Sequence, residues 1–438
     1  MQESPRGDPQ AVSPAVADMV TAGAVDEELV VQGSTRLGTF SSLSYVNYRH
    51  LWFGTVFMAL GQWIQQVTLG YLIYDMTGSP VLLGLLSTIR ALPFLLVSPV
   101  AGVIVDQVDR KKLLLVMQSI LAVSAFAMGF WVHTGLVQAW HVFLFATITA
   151  TAWSVNQPLR QTLVNKVVPR KALSNAVALN SMGFNTTKII GPALGGWLIE
   201  LFGEADNFFV QGAAYIGVLF SIGRMHVPPT VREPTQNSVW KNLKEGLSYV
   251  RVTPAVLALI ISGLVPSVIF MPYQTLMPVF QKDVLHAGPE ALGLMLAAPG
   301  VGAIVATLAL ATLSSRVRRK GYILLGAMAA MGCCLILLAQ ATSLPIALLA
   351  IVGAGGFQIL YAATNMTMLQ LLVPDAYLGR VMSIYMINSG FSPAGALFGG
   401  IMTQFFGAPL TIALLGGMVV AMAVVMFFRN PEMRRIET

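Results

Sequence analysis

The chain has 438 residues, of which 55% are hydrophobic and only 10% charged. Soluble globular chains carry roughly 25% charged residues, so a water-solvated fold is excluded and lipid is the solvent that removes the need for surface charge. The net charge of +7 does not imply a nucleic-acid partner, because the basic residues sit in short clusters between apolar runs, as in cytoplasmic loops of membrane proteins.

Residues 1–45 are polar and lean acidic, with Asp26, Glu27 and Glu28 in a row. No basic segment followed by an apolar core is present there, so a disordered cytoplasmic tail is expected rather than a cleaved signal. A membrane span needs about 20 apolar residues. Twelve such runs follow, at 51–74, 81–105, 113–134, 140–162, 175–200, 207–225, 254–281, 289–313, 321–340, 344–372, 378–405 and 409–428. They predict a six-helix bundle over 46–226, a cytoplasmic linker over 227–253, a second bundle over 254–429 and a cytoplasmic tail over 430–438. The linker contains Pro228, Pro229 and Pro234, then an amphipathic stretch from Trp240 to Val250 that is expected to lie at the membrane surface.

Charge tests this topology. With both ends in the cytoplasm and alternating spans, 23 of the 26 Lys and Arg residues fall on the cytoplasmic side. Lys282 alone falls outside, and Arg90 and Lys188 fall within spans. Each of these two lies roughly 20–25 Å from the cytoplasmic end at 1.5 Å per residue. A charge there costs at least about 2.5–3.5 kcal/mol and faces a cavity or a partner. Asp75 and Glu200 sit only at span ends, so no buried counter-ion is evident. The two cations are expected to receive an anionic or oxygen-rich ligand, with snorkelling or backbone pairing as the alternative.

Amides mark the remaining candidates. Gln62, Gln65 and Gln66 share one face of the first span. Asn156, Gln157 and Arg160 lie on the fourth, Tyr273 and Gln274 on the seventh, and Gln358, Tyr361 and Asn365 on the tenth. Unpaired amides in hydrocarbon cost several kcal/mol, so these residues either line a wet cavity or bond helix to helix. Cys333 and Cys334 sit in an apolar run and read as packing residues, the five histidines are scattered, and no metal site or other cofactor is implied.

The halves repeat. Leu83-Gly84-Leu85 answers to Leu292-Gly293-Leu294, and Val108 to Lys111 answers to Val317 to Lys320, at one spacing. Gly191, Gly195, Gly196, Phe202 and Gly203 answer to Gly395, Gly399, Gly400, Phe406 and Gly407 at another. Duplicated halves with a site between them are a transporter architecture.

The stretch from Gly102 through Asp106, Gln107, Asp109 and Arg110 to Lys111 and Lys112 resembles the loop signature of the major facilitator superfamily. Gly102, Asp106, Lys111 and Lys112 match it, Gln107 replaces a basic residue and Asp109 replaces a glycine. Gly191, Pro192, Gly195 and Gly196 resemble the core of the antiporter motif, with Thr187 where that motif has an earlier glycine. Thr77 to Pro80 and Gly379 to Met382 resemble the branch that contains enterobactin exporters and macrolide efflux pumps. The resemblance spans about residues 45–430 and implies an all-α membrane protein of twelve transmembrane helices in two pseudo-symmetric six-helix bundles. It implies that the first, fourth, seventh and tenth spans line a central cavity. It further implies that Asp106, facing the eleventh helix start near Arg380, helps close a cytoplasmic gate with Gly102, Arg110, Lys111 and Lys112. Gly191, Pro192, Gly195 and Gly196 are then gating or packing elements.

The expected function is secondary export of a small amphipathic or anionic molecule, siderophore-like or drug-like, coupled to protons and carried out by a monomer in a bacterial cytoplasmic membrane. Import, or a non-transporting receptor or scaffold on the same fold, is the alternative. A membrane enzyme is disfavoured because no nucleophile–base pair or metal cluster is found. An ATP-driven pump is disfavoured because no phosphate-binding loop is present.

Overall fold

The computed structural model describes residues 38–105, 108–225, 247–313 and 319–429, and these are almost entirely helical. The amphipathic stretch of the linker before Leu247, the acidic tail and Asp106 lie outside them. Six helices come first: α1 (Val46–Thr77), α2 (Pro80–Val105), α3 (Arg110–His133), α4 (Ala139–Val167), α5 (Arg170–Phe202) and α6 (Glu204–Gly223). Then come α7 (Pro254–Val284), α8 (Pro289–Leu313), α9 (Lys320–Ala339), α10 (Leu344–Leu372), α11 (Asp375–Ile387) and α12 (Ser392–Arg429).

Lipid explains the composition of these helices, since each must satisfy its backbone internally. Seven candidate spans among the described residues are long and apolar enough to cross a membrane: α3, α6, α7, α8, α9, α10 and the continuous run Tyr377–Arg429. Pro80–Phe94 of α2 is a shorter apolar piece. Helices α1, α4 and α5 fall outside that set because amides, hydroxyls and a cation dilute their apolar runs. The run Tyr377–Arg429 holds what the sequence divides into two spans. Its helix is broken at Gly407, where φ is 75° and ψ 163°, between the two spans that the sequence divides. Gly203, between α5 and α6, has nearly the same conformation, φ 86° and ψ 175°. These are the two glycines paired by the repeat. Glycine is required at both because a Cβ disfavours positive φ.

Helix α1 packs on α5 and α6, α3 on α4 and α6, and α2 on α4. Later in the chain α8 packs on α10, and α9 on α10 and α12. Two seams join the early helices to the late ones, α5 against α8 and α2 against α12. Both seams are built from backbone. A Cβ on Gly196 would lie 2.5 Å from the Pro289 carbonyl oxygen, and one on Gly293 would lie 2.6 Å from that of Pro192. Across the other seam, a Cβ on Gly400 would lie 2.5 Å from the Pro80 carbonyl oxygen, and one on Gly84 would lie 2.7 Å from that of Ala396. Residues matched by the repeat therefore make matched contacts. Small residues allow this approach, as in other membrane helix pairs.

Helix α7 is irregular. Wide turns over Val265–Phe270 and Phe280–Val284 flank a broken stretch holding Pro272 and Pro278. Proline supplies no donor, so the helical ladder cannot run straight through it.

Candidate functional site

Between the seams lies a chamber of about 690 Å³. Gln62, Gln65 and Gln66 of α1, Ser87 and Arg90 of α2, and Gln157 of α4 contribute its polar lining. Met58, Phe94, Trp153 and Phe184 contribute its apolar wall, and Tyr215 of α6 adds a ring with a hydroxyl. A smaller annex of about 190 Å³ shares Gln66, Ser87, Arg90 and Ala91 with the chamber. It adds Gln274, Thr275 and Ser392 from the late helices. The Ser87 and Thr275 hydroxyls meet at 3.3 Å across it. Arg90 stands where the two spaces join. No carboxylate lines either space, and no hydrogen bond or ion pair holds its guanidinium among the described residues.

The end of the cavity that carries Gly78, Gly203 and Gly288 is held together by both glycine seams. Two side-chain links also cross there from α1 to α7. Lys282 Nζ lies 2.7 Å from Asp75 Oδ1, and the Tyr74 hydroxyl donates to Asp283 Oδ2 at 2.5 Å. At the opposite end the chamber runs down to Phe94, Gln157 and Ser383.

Several residues that the sequence places on the cavity faces lie elsewhere. Asn156 and Arg160 are buried between α4 and α1, where Arg160 Nε donates to Asn156 Oδ1 at 2.9 Å and Nη1 to Thr55 Oγ1 at 3.1 Å. Asn365 is buried against α7, and its Nδ2 donates to Leu259 O at 3.2 Å, Ser262 Oγ at 2.9 Å and the Tyr361 hydroxyl at 2.8 Å. Tyr273 and Tyr361 are likewise fully buried. Gln358 Nε2 lies 3.0 Å from Met271 Sδ. Lys188 packs its ammonium 5.9 Å from the centroid of the Trp63 ring, one turn from the chamber residue Phe184. The physical reason is shared: a helix inside a bundle has two inward faces, one toward the cavity and one toward its neighbours, and both accept polar residues.

The expected gate residues divide similarly. Asp109 caps α3, accepting from the backbone N–H of Lys111 at 2.9 Å and Lys112 at 3.1 Å. That explains an aspartate where the superfamily signature has glycine, since both are favourable caps. Lys111 Nζ donates to the carbonyls of Gly223 at 2.8 Å and Met225 at 2.7 Å, ending α6 with a cation as its dipole favours. Arg110 opens α3, and Gly102 lies in the last turn of α2. Arg380 stacks over the Tyr377 ring, which stacks in turn on Tyr249 of the linker end. Gly191 and Gly195 of α5 receive Trp63 and Ile64 of α1, and Pro192 and Gly196 belong to the seam with α8.

Sequence reasoning missed a buried polar stripe on α6. Gln211 Nε2 donates to Gln65 Oε1 at 2.6 Å and to the Tyr215 hydroxyl at 3.0 Å. Asn207 Nδ2 donates to Thr68 Oγ1 at 2.7 Å. Gln65 Nε2 donates onward to Thr149 Oγ1 at 2.8 Å, so this network fixes one wall of the chamber. The spacing Asn207, Gln211, Tyr215 is one residue per turn and was the available signal.

A family model described as transmembrane secretion effector matches residues 37–438. The chain belongs to this family of major facilitator transporters. It is 25% identical to the staphyloferrin A transporter of Staphylococcus aureus (strain NCTC 8325 / PS 47), over 86% of this chain and 94% of that one. It is 21% identical to macrolide efflux protein A of Streptococcus pyogenes and 23% identical to the multidrug efflux pump Tap of Mycolicibacterium fortuitum, each over 88% of this chain and 96% of the relative. The fold is similar to that of the nucleoside transporter NupG, with a TM-score of 0.68, 13% identity and coverage of 87% and 99%. It is also similar to a bacterial homologue of the human lysosomal transporter Spinster, with a TM-score of 0.66, 16% identity and coverage of 89% and 96%. The family member is thus a multi-pass membrane transporter in the branch of siderophore and macrolide efflux proteins, and not an enzyme.

Proposed function

We propose that this transporter exports a small amphipathic or anionic molecule by alternating access, driven by protons. The observation that carries the reading is a cavity with one cation and several amides, closed at one end by backbone seams and side-chain links. Such a cavity can change sides when the early helices rock against the late ones. In this reading the chain makes twelve spans in two six-helix halves, over 46–226 and 254–429, joined by a cytoplasmic linker. Both ends are cytoplasmic, and the membrane is the bacterial inner membrane. Arg90 is the residue that selects for negative charge. Lys188, packed on Trp63 behind the chamber, adds positive potential without lining it. The closed end is then the external one, and the cavity opens inward.

The decisive experiment compares metabolites retained by a deletion strain with those in its medium, then measures uptake of the retained compound into inverted vesicles. Uptake that collapses when the proton gradient is dissipated supports the reading. Uptake only into right-side-out vesicles supports import.

A further inference from the structure

We propose that the annex beside Arg90 is a head-group site for a single carboxylate, so that substrates bind head first, toward the closed end, with their bodies in the chamber. The proposal rests on the transporter reading of the cavity and adds to it an orientation and a charge.

Three observations support it. First, the annex is only about 190 Å³ against about 690 Å³ for the chamber, so the larger part of a multi-ring substrate is accommodated in the chamber and the smaller part in the annex. Second, its chemistry is polar and of one kind. Arg90 offers a planar fork that matches a carboxylate bidentately. Gln66, Ser87, Gln274, Thr275 and Ser392 each carry a group able to donate to the remaining lone pairs or to a neighbouring hydroxyl. No acidic side chain competes for the guanidinium in either space. One cation balances one negative charge, and a dianion would leave a second charge uncompensated in a low-dielectric site. Third, the chamber wall is the complement, with Met58, Trp153 and Phe184 suited to an apolar or aromatic body.

The annex also spans the molecule. Gln66, Ser87 and Arg90 come from α1 and α2, whereas Gln274, Thr275 and Ser392 come from α7 and α12. A bound carboxylate therefore bridges the early and late helices beside the α2–α12 seam. Gln274 and Thr275 are positioned to read oxygens adjacent to the carboxylate, which makes them specificity residues.

The test is calorimetric binding to the purified full chain in detergent, with 2-naphthylacetate and its primary amide as probes. A charge-assisted bond to Arg90 predicts roughly tenfold or greater preference for the carboxylate. Arg90→Gln should abolish that preference, bringing carboxylate affinity down to that of the amide, and an unchanged thermal melting profile in detergent shows that the variant is folded. Arg90→Lys should retain part of it, because the charge remains but the fork is lost. A Thr275→Val, Ser392→Ala double variant should narrow it without removing it. Equal wild-type affinity for both probes, no saturable binding of either, or a preference that survives Arg90→Gln would overturn the head site. Proteoliposome uptake of naphthylacetate with and without a proton gradient separates the two readings. Carboxylate preference without transport counts against the coupled mechanism alone, and transport without preference counts against the head site alone.

Discussion

Lys282 and Asp75 form an ion pair 2.7 Å long that ties the end of α7 to the end of α1, and both side chains are 45% exposed. Exposed pairs contribute only about 0–1 kcal/mol. The pair matters because of its place, beside the Tyr74–Asp283 bond at the closed end of the cavity. Asp75→Asn or Lys282→Gln should change thermal stability by under about 1 kcal/mol. Either should raise the labelling rate of a cysteine placed at Ser87 by an impermeant reagent added from that end. The reversed pair Asp75→Lys, Lys282→Asp should restore slow labelling, and equal rates in all variants would show that the pair does not hold this end shut.

Gly196 and Gly293 face each other with backbone on both sides, so an added methyl has nowhere to go. Gly196→Ala should cost about 1–3 kcal/mol through overpacking and forced helix displacement, and transport should fall with it. Gly217→Ala is the control, because nothing lies within 4 Å of its Cβ position. Thermal unfolding in detergent together with vesicle uptake reads both effects.

Asp109 holds two N-terminal amides of α3. Asp109→Ala should destabilise by about 1 kcal/mol, Asp109→Ser by much less, and Asp109→Gly by a few tenths, following cap preference. A differential scan of the three variants checks the order.

Asn365 is fully buried and bonds to α7 and Tyr361 rather than to the cavity. Asn365→Ala should cost about 1–3 kcal/mol from the orphaned partners while leaving relative affinities for different substrates unchanged. Gln62→Ala, on the chamber wall, should show the opposite pattern. Side-by-side melting and competition binding distinguish them.

Much of this molecule was legible in one chain because lipid imposes strong rules. Apolar runs follow from burying backbone in hydrocarbon, basic loops from the charge bias of cytoplasmic segments, and the glycine pattern from close approach of helices. Gln62, Gln65, Gln66, Arg90, Gln157 and Gln274 were found because an amide or cation amid apolar neighbours needs a polar destination. Asn156, Tyr361 and Asn365 obey the same rule with a different destination, and helical phase alone does not separate cavity from neighbour. Ser87 and Thr275 carried no signal at all, since hydroxyls in membrane helices commonly bond to their own backbone, as Thr55 does with Leu51 O at 2.8 Å. The division of the last run at Gly407 was legible, because the glycine repeat pairs it with Gly203 and both adopt positive φ.

The seams have one more consequence. Their contacting atoms are carbonyl oxygens and α-carbons, which possess no rotamers to adjust. A ligand in the cavity therefore cannot loosen them by a cascade of side-chain flips. It has to shift a whole helix axis, and the glycine tracks act as dry bearings along which rigid bodies slide while the cavity lining is free to diversify.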